Sequence, residues 1–175
     1  MHYLRDRAFV LRRVNFGDSD RYITLFTHDH GKIEVVARGV RKIYSRRAPS
    51  VELLNLIEFQ AVRTSKNFIL TEVKLVSSFE GLKRDLENIE KAFTMCELID
   101  AVMPFGEEHR DIFNLIERAA AKVVENERNM VFFQAKLLTL LGFWDGRESF
   151  RSPDHVRSVV EQTIERKLKS SAVFT

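Results

Sequence analysis

The chain has 175 residues, of which 45% are hydrophobic, and a formal net charge of +3. This length and composition suffice to bury one substantial core or two small ones, which argues against an extensively disordered protein. A single cysteine, Cys96, excludes an intramolecular disulfide and a cysteine-pair zinc site, so we expect it to be a small buried hydrophobe on a helix. No apolar run approaches the roughly 20 residues that cross a bilayer. Because the N-terminus also does not resemble a signal sequence, we expect a cytoplasmic protein.

The first 78 residues carry the alternating pattern of β-strands. The predicted strands cover 8–14, 22–27, 33–37, 53–62 and 68–76. Polar turns separate the first three strands, and a longer connection follows the third. Five short strands in about 75 residues fit a small closed barrel such as the OB fold. An SH3-like barrel has a similar number of strands, so the strand count alone does not distinguish the two.

The connection after the third predicted strand is strongly basic. Five cations and no acid fall within residues 38–47, namely Arg38, Arg41, Lys42, Arg46 and Arg47. Such a cluster typically holds polyphosphate through charge-assisted hydrogen bonds and counterion release. Residues 1–50 contain eleven Lys and Arg against five Asp and Glu, whereas residues 81–175 contain fourteen against sixteen. The sequence therefore predicts nucleic-acid binding by the first half, and the alternative is a solvated loop that aids solubility.

Further cations are candidates to extend this basic surface. They are Lys32, Arg12, Arg13 and Arg21. Because the pattern indicates contacts with phosphate rather than with base edges, we expect binding without sequence-selective readout.

In the remainder of the chain, apolar residues recur at helical spacing. The predicted helices cover 82–103, 112–123, 130–141 and 153–168. Gly142 is placed to stop the third helix, and Ser152 with Pro153 supplies an N-cap and a first-turn proline for the fourth. We therefore predict an α+β protein, with a five-stranded OB-fold barrel over 1–80 and an α-helical domain over 81–175.

One set of polar residues could be assembled into a metal site. It consists of His28, Asp29, His30, Asp18 and Asp20. Imidazole and carboxylate are ordinary ligands for zinc or manganese, but polar residues are also expected wherever the chain must reverse. We recognise no nucleophile, phosphate-binding loop or paired catalytic carboxylates, and neither Ser19 nor Ser45 has an evident base. We therefore expect no catalysis, no metal and no cofactor, and keep a metal-dependent nuclease as the contrasting hypothesis.

Two aromatic pairs lie in the predicted helical domain, Phe132 with Phe133 and Phe143 with Trp144, and Lys136 lies between them. Aromatic residues at helical spacing usually belong to a core. Next to a cation they could instead border a pocket for the apolar, acidic tail of a partner protein. The sequence leaves both interpretations open.

Several segments resemble the RecO family of recombination mediators. The most specific is Ala37-Arg38-Gly39-Val40-Arg41-Lys42 with Ser45. The others are 8–11, 17–20, 25–27, 31–32, 96–99, 113–115, 133–138, 141–143 and 166–170. The resemblance spans nearly the whole chain, and it implies an N-terminal OB fold followed by a helical domain.

The resemblance to RecO also implies a function and a set of partners. Members bind single- and double-stranded DNA, anneal complementary strands, work with RecR, and engage single-stranded-DNA-binding protein so that the recombinase RecA can load. The family therefore implies a nucleoid-associated DNA-repair protein that is not an enzyme. It also motivates a pocket for the C-terminal tail of single-stranded-DNA-binding protein, bordered by Phe133, Lys136, Leu137, Phe143 and Trp144.

One segment departs from the family pattern. Many members carry a cysteine-rich zinc-binding insertion after the Leu-Gly-Phe segment, whereas here Trp144 to Ser152 leads almost directly into the last predicted helix without a cysteine. We read this as a trimmed insertion in a working mediator. The alternative within the same fold is an interaction adaptor that does not bind DNA.

Overall fold

The computed structural model of the protein describes residues 3–122, 125, 127–145 and 152–165. Its strands are β1 (Tyr3–Phe16), β2 (Asp20–Thr27), β3 (Gly31–Ala37), β4 (Leu56–Arg63) and β5 (Phe68–Ser77). Its α-helices are α1 (Leu86–Val102), α2 (Arg110–Lys122), α3 (Glu127–Leu140) and α4 (Pro153–Thr163). Short 3₁₀ helices cover Ala48–Val51 and Glu80–Lys83.

The five strands form a closed barrel in the order β1-β2-β3-β5-β4. β1 pairs antiparallel with both β2 and β4, while a short parallel pairing between β3 and β5 completes the closure. This is the connectivity of an OB fold, and the predicted barrel followed by helices is confirmed. A register shift between Val10 and Arg12 lets the long β1 bend, so that its two halves pair with different neighbours.

Inward-facing residues of every strand fill the barrel. Because alternate residues of a strand point to opposite faces, the inner set follows the alternation seen in the sequence: Ala8, Val10, Ile23, Leu25, Ile33, Val35, Ala37, Ile57, Phe59, Ala61 and Leu70. Val40 and Val51, which lie in the connection between β3 and β4, are buried in the same core. Both ends of that connection are therefore fixed to the barrel.

β1 is longer and β4 starts later than the sequence predicts. β1 begins at Tyr3, because its first seven residues pair with β4. β4 begins at Leu56, after a turn in which Leu54 adopts a left-handed backbone with φ of 58°. The buried Asn55 side chain holds that turn through hydrogen bonds of 2.9 Å to the carbonyls of Pro49 and Ser50.

The residues predicted to end α3 and to begin α4 are confirmed. Gly142 has φ of 75°, and the N–H of Phe143 donates to the carbonyl of Leu138, which ends α3. Ser152 caps α4 by accepting a hydrogen bond of 3.1 Å from the N–H of His155. Cys96 is buried on α1, as expected.

The chain divides into two compact units. One comprises Met1–Ser78 with Met103–His109, and the other comprises Phe79–Val102 with Arg110–Thr175. The sequence does not predict that Met103–His109 joins the barrel residues, and its proposed division at residue 80 stays a prediction. Among the described residues, every helix is too short or too polar to cross a bilayer.

Candidate nucleic-acid interface

The turn between β1 and β2 holds the start of the connection that leaves β3. We call residues 38–47 the basic loop. The N–H of Gly39 donates a 2.7 Å hydrogen bond to the carboxylate of Asp20. The N–H of Arg41 donates to the carbonyl of Ser19 over 2.9 Å, and the Arg41 guanidinium reaches the carbonyl of Gly17 at 3.2 Å. The first four residues of the basic loop are thereby tied to a neighbouring turn of the barrel.

Arg47 closes the other end of the basic loop. Its guanidinium donates to the carbonyl of Arg38 at 2.6 Å and to the carbonyl of Leu70 on β5 at 3.1 Å. Arg47 is half-buried. These hydrogen bonds give Arg47 a role in holding the loop, and its predicted contact with phosphate stays a prediction.

Four cations of the basic loop face outward. They are Arg38, Arg41, Lys42 and Arg46, which we call the loop cations, and all four are exposed. Within the described part of the chain, no carboxylate lies at ion-pair distance from Arg38, Lys42 or Arg46. Their charges are therefore uncompensated and combine into a positive field over the basic loop. Such a field attracts a polyanion to this side of the barrel.

The basic loop also exposes two large residues that are not cations. Ile43 and Tyr44 are 102% and 83% exposed, the highest values among the large hydrophobic residues that the structure describes. Sequence reasoning did not single them out, although an apolar pair between Lys42 and Arg46 was visible as a signal.

The cations predicted to extend the basic surface lie in different surroundings. Arg12 is exposed and 4.0 Å from the carboxylate of Glu34. Arg13 is partly buried and forms a 2.5 Å salt bridge with Glu52. Arg13 is therefore paired with a carboxylate of the protein and only partly accessible, whereas Arg12 is exposed on the surface.

Arg21 lies on β2 beside the start of the basic loop. It pairs with Ala37, the residue before Arg38, in the register of β2 with β3. Its guanidinium donates to the side chain of Asn15 at 3.0 Å.

Lys32 is buried, with 6% of its surface exposed. Its ammonium lies 4.6 Å from the centroid of the Phe105 ring, a cation–π contact. The N–H of Gly106 also donates to its carbonyl at 3.0 Å. The structure therefore corrects the expectation that Lys32 extends the basic surface, because the segment 103–109 covers it.

The histidines predicted as metal candidates lie beside a residue that sequence reasoning missed. Ligand atoms of Asp6, His28 and Asp29 lie within 4.8 Å of one another, and neither Asp18 nor Asp20 joins them. The Asp6 carboxylate, whose side chain is only 3% exposed, accepts hydrogen bonds from the N–H groups of Arg7 and Asp29 and from His30 Nδ1. Oδ2 of Asp6 thus holds the β2–β3 turn against β1, while Oδ1 bonds to the N–H of Arg7 on β1 itself.

The predicted tail pocket is not assembled as expected. Phe133 and Leu137 are 1% and 0% exposed, so they belong to the core, which corrects their assignment to a pocket rim. Trp144 is partly buried and contacts the His155 ring edge-on at 5.3 Å. Of the exposed residues in this region, the predicted set included Lys136 and Phe143 and did not include Phe132 and Leu140. Phe132, Lys136 and Leu140 are exposed and lie four residues apart on α3, and the exposed Phe143 follows them; we call these four residues the exposed strip.

Comparisons with known proteins agree on one family. The family described as "Recombination protein O N terminal" matches residues 1–79. A protein of Symbiobacterium thermophilum named "DNA repair protein RecO" is 33% identical over 140 residues, which are 78% of this chain and 55% of that protein. Proteins of the same name from Pelobacter propionicus and Geobacter metallireducens are 32% and 30% identical, each over 82% of this chain and 60% of the relative. The chain therefore spans at most about 60% of the length of these relatives, and the match includes the barrel with its basic loop.

Proposed function

The chain belongs to the RecO family, and from that premise we propose that it is a recombination mediator in DNA repair. In this proposal it binds single- and double-stranded DNA and anneals complementary strands. It also helps to load recombinase onto DNA coated by single-stranded-DNA-binding protein, and it catalyses no covalent chemistry. The relatives' shared name supports the DNA-repair role.

The observation that carries the proposal is the set of four loop cations on an anchored loop without a neighbouring carboxylate partner in the described residues. Cations that neutralise phosphates release counterions and reduce the repulsion between two strands that must approach each other. Phosphate contacts position a nucleic acid but carry no sequence information. The loop cations therefore suit a protein that acts on any sequence.

The partners of this activity are also part of the proposal. We assign RecR, single-stranded-DNA-binding protein and, indirectly, RecA to the chain from the family resemblance. The exposed strip supports the second of these, because it presents apolar side chains around one ammonium group. An acidic, apolar tail would find both burial and a charge partner on such a surface.

The test compares the wild type with two fourfold alanine variants of the full chain. In the loop variant the substituted residues are Arg38, Arg41, Lys42 and Arg46. In the matched control, which removes the same charge from other exposed positions, they are Lys66, Arg84, Arg118 and Lys122. Binding of two unrelated labelled oligonucleotides is followed by fluorescence anisotropy across a salt series.

We expect the loop variant to bind both oligonucleotides more weakly. Its slope of log K against log salt should fall by up to about 0.7 to 0.9 for each phosphate that the variant no longer neutralises. The control should stay close to wild type. Unchanged affinity and slope in a folded loop variant would contradict the DNA-binding site, and absent DNA binding by the wild type would favour the interaction adaptor.

The same oligonucleotides, incubated with magnesium or manganese and run on a gel, test the nuclease alternative. A mediator leaves them intact and accelerates annealing of complementary strands, whereas a nuclease cleaves them only when the divalent cation is present.

A further inference from the structure

The tip of the basic loop is a tight turn. The N–H of Ser45 donates to the carbonyl of Lys42 over 2.9 Å, which makes Ile43 and Tyr44 the two central residues of a β-turn. A preceding turn begins at Gly39, whose carbonyl accepts from the N–H of Lys42 at 3.2 Å. Successive turns thus carry Ile43 and Tyr44 outward from the anchored base of the loop.

The Tyr44 side chain is an exposed aromatic ring with cations on both sides. It is 83% exposed, and its ring and hydroxyl have no partner among the residues that the structure describes. Lys42 precedes it by two residues and Arg46 follows it by two, and both are exposed. The tip therefore combines an open ring face with flanking positive charge.

We propose that Tyr44 is a stacking platform for an unpaired base, and that it makes the basic loop prefer single strands over duplex DNA. This inference rests on the proposed DNA binding and adds a residue and a selectivity to it. A single strand alternates phosphates with bases whose faces are free, so the loop cations can hold phosphates on either side of a base that stacks on Tyr44. In a duplex the base faces are stacked on each other and the ring cannot reach them.

The preference should not depend on sequence. Every base has a π face, so stacking on Tyr44 tolerates all four. The anchoring of the loop backbone also matters here, because a backbone that is already ordered loses less conformational freedom when DNA binds. Ile43 would pack beside the stacked base and add apolar contact.

The test uses the full chain and four variants. Tyr44→Ala removes the ring and Tyr44→Phe retains it. Phe93→Ala removes another exposed aromatic ring, 42% exposed, from α1. The fourfold loop variant reports on the phosphate contacts. The probes are a labelled thymidine oligonucleotide, an abasic strand of the same length, and a hairpin duplex with the same number of phosphates.

We expect Tyr44→Ala to bind the thymidine oligonucleotide about tenfold more weakly and to bind the duplex and the abasic strand as the wild type does. Tyr44→Phe and Phe93→Ala should match the wild type with all probes. Wild type should bind the abasic strand more weakly than the thymidine strand, and this difference in affinity should disappear in Tyr44→Ala. The comparison of the two proteins with the two strands measures the interaction energy between the ring and the bases.

Two results would overturn the inference while the proposed function stands. In one, the fourfold loop variant loses DNA binding but Tyr44→Ala binds the thymidine strand as well as wild type. In the other, Tyr44→Ala weakens single strand, abasic strand and duplex equally. If Tyr44→Ala lost binding only to a fourth probe, vesicles of anionic phosphatidylglycerol, the tip would instead be assigned to a membrane surface. If the wild type bound none of the DNA probes, both the function and the inference would fall.

Discussion

The guanidinium of Arg47 donates a 2.6 Å hydrogen bond to the backbone carbonyl of Arg38, nine residues earlier in the chain. A second bond from the same guanidinium reaches the carbonyl of Leu70 on β5. The two ends of the basic loop are thus joined to each other and to the barrel by one side chain. Arg46, its neighbour, is exposed and has no such bonds among the described residues.

Arg47→Ala should therefore affect both stability and DNA binding. Loss of hydrogen bonds from a charged donor should lower the free energy of unfolding by about 1.5 to 3 kcal/mol, and a loosened loop should bind oligonucleotides more weakly. Arg46→Ala, the control, should weaken binding without changing the unfolding midpoint in urea. Equal stability of the two variants would show that Arg47 does not hold the loop.

Gly31→Ala should be strongly destabilising. Gly31 has φ of +66°, and a Cβ at this position would overlap the carbonyl oxygen of Glu107. Gly17 is a matched control, because its φ is +55° but a Cβ there would meet nothing within 4 Å. Gly17→Ala should cost about 1 to 2 kcal/mol from backbone strain alone.

The measurement for this pair is urea denaturation of both glycine variants beside the wild type. Gly31→Ala should lose clearly more stability than Gly17→Ala, because the clash adds to a similar strain. Equal losses would mean that the close approach of Glu107 to Gly31 does not contribute to stability.

Asp6→Ala should also destabilise the barrel. The substitution removes a carboxylate that is itself only 3% exposed, and leaves the N–H groups of Arg7 and Asp29 without their acceptor beside the β2–β3 turn. We expect a loss of about 2 to 3 kcal/mol in the free energy of unfolding, as for other hydrogen bonds to a charged group. Asp18→Ala, at an exposed turn, is the control and should stay within about 0.5 kcal/mol of wild type. A loss in Asp6→Ala no larger than that of the control would contradict the role assigned to this carboxylate.

We predict that the purified protein contains no stoichiometric zinc. Structural zinc sites usually take four Cys or His ligands, and the Asp6 carboxylate already accepts hydrogen bonds on both oxygens. Elemental analysis should find less than a stoichiometric amount of zinc, and a chelator should leave the unfolding transition unchanged. One zinc per chain together with destabilisation by the chelator would show that His28 and its neighbours bind metal.

The exposed strip provides a prediction about partner binding. Lys136→Ala should weaken binding of a fluorescent peptide that copies the C-terminal tail of single-stranded-DNA-binding protein, since a cation at the edge of a binding surface attracts an anion. The same change should leave stability near wild type, because an exposed cation contributes little to folding. Lys122→Ala, which removes another exposed lysine from the same unit, is the control. Equal affinities, or no peptide binding by wild type, would place the tail site elsewhere.

Local patterns predict most of the elements. The alternation in β2 and β3 and the helical spacing after residue 81 can be read from short stretches of sequence. The end of α3 at Gly142 and the cap of α4 at Ser152 depend on residues within one helical turn. The beginning of β1 is different. Residues 3–7 contain three charged side chains and are a strand because they pair with β4, about fifty residues later in the chain.

The roles of individual cations and aromatics depended on the tertiary structure. Arg46 and Arg47 are adjacent and chemically identical, yet one faces outward and the other bonds to carbonyls on Arg38 and Leu70. Lys32 is covered by a segment more than seventy residues away. The sequence by itself determined which side chains are charged and where most strands and helices lie, because these depend on residue type and local spacing. Only the closure of the barrel decided where each charge points, because its neighbours come from distant parts of the chain.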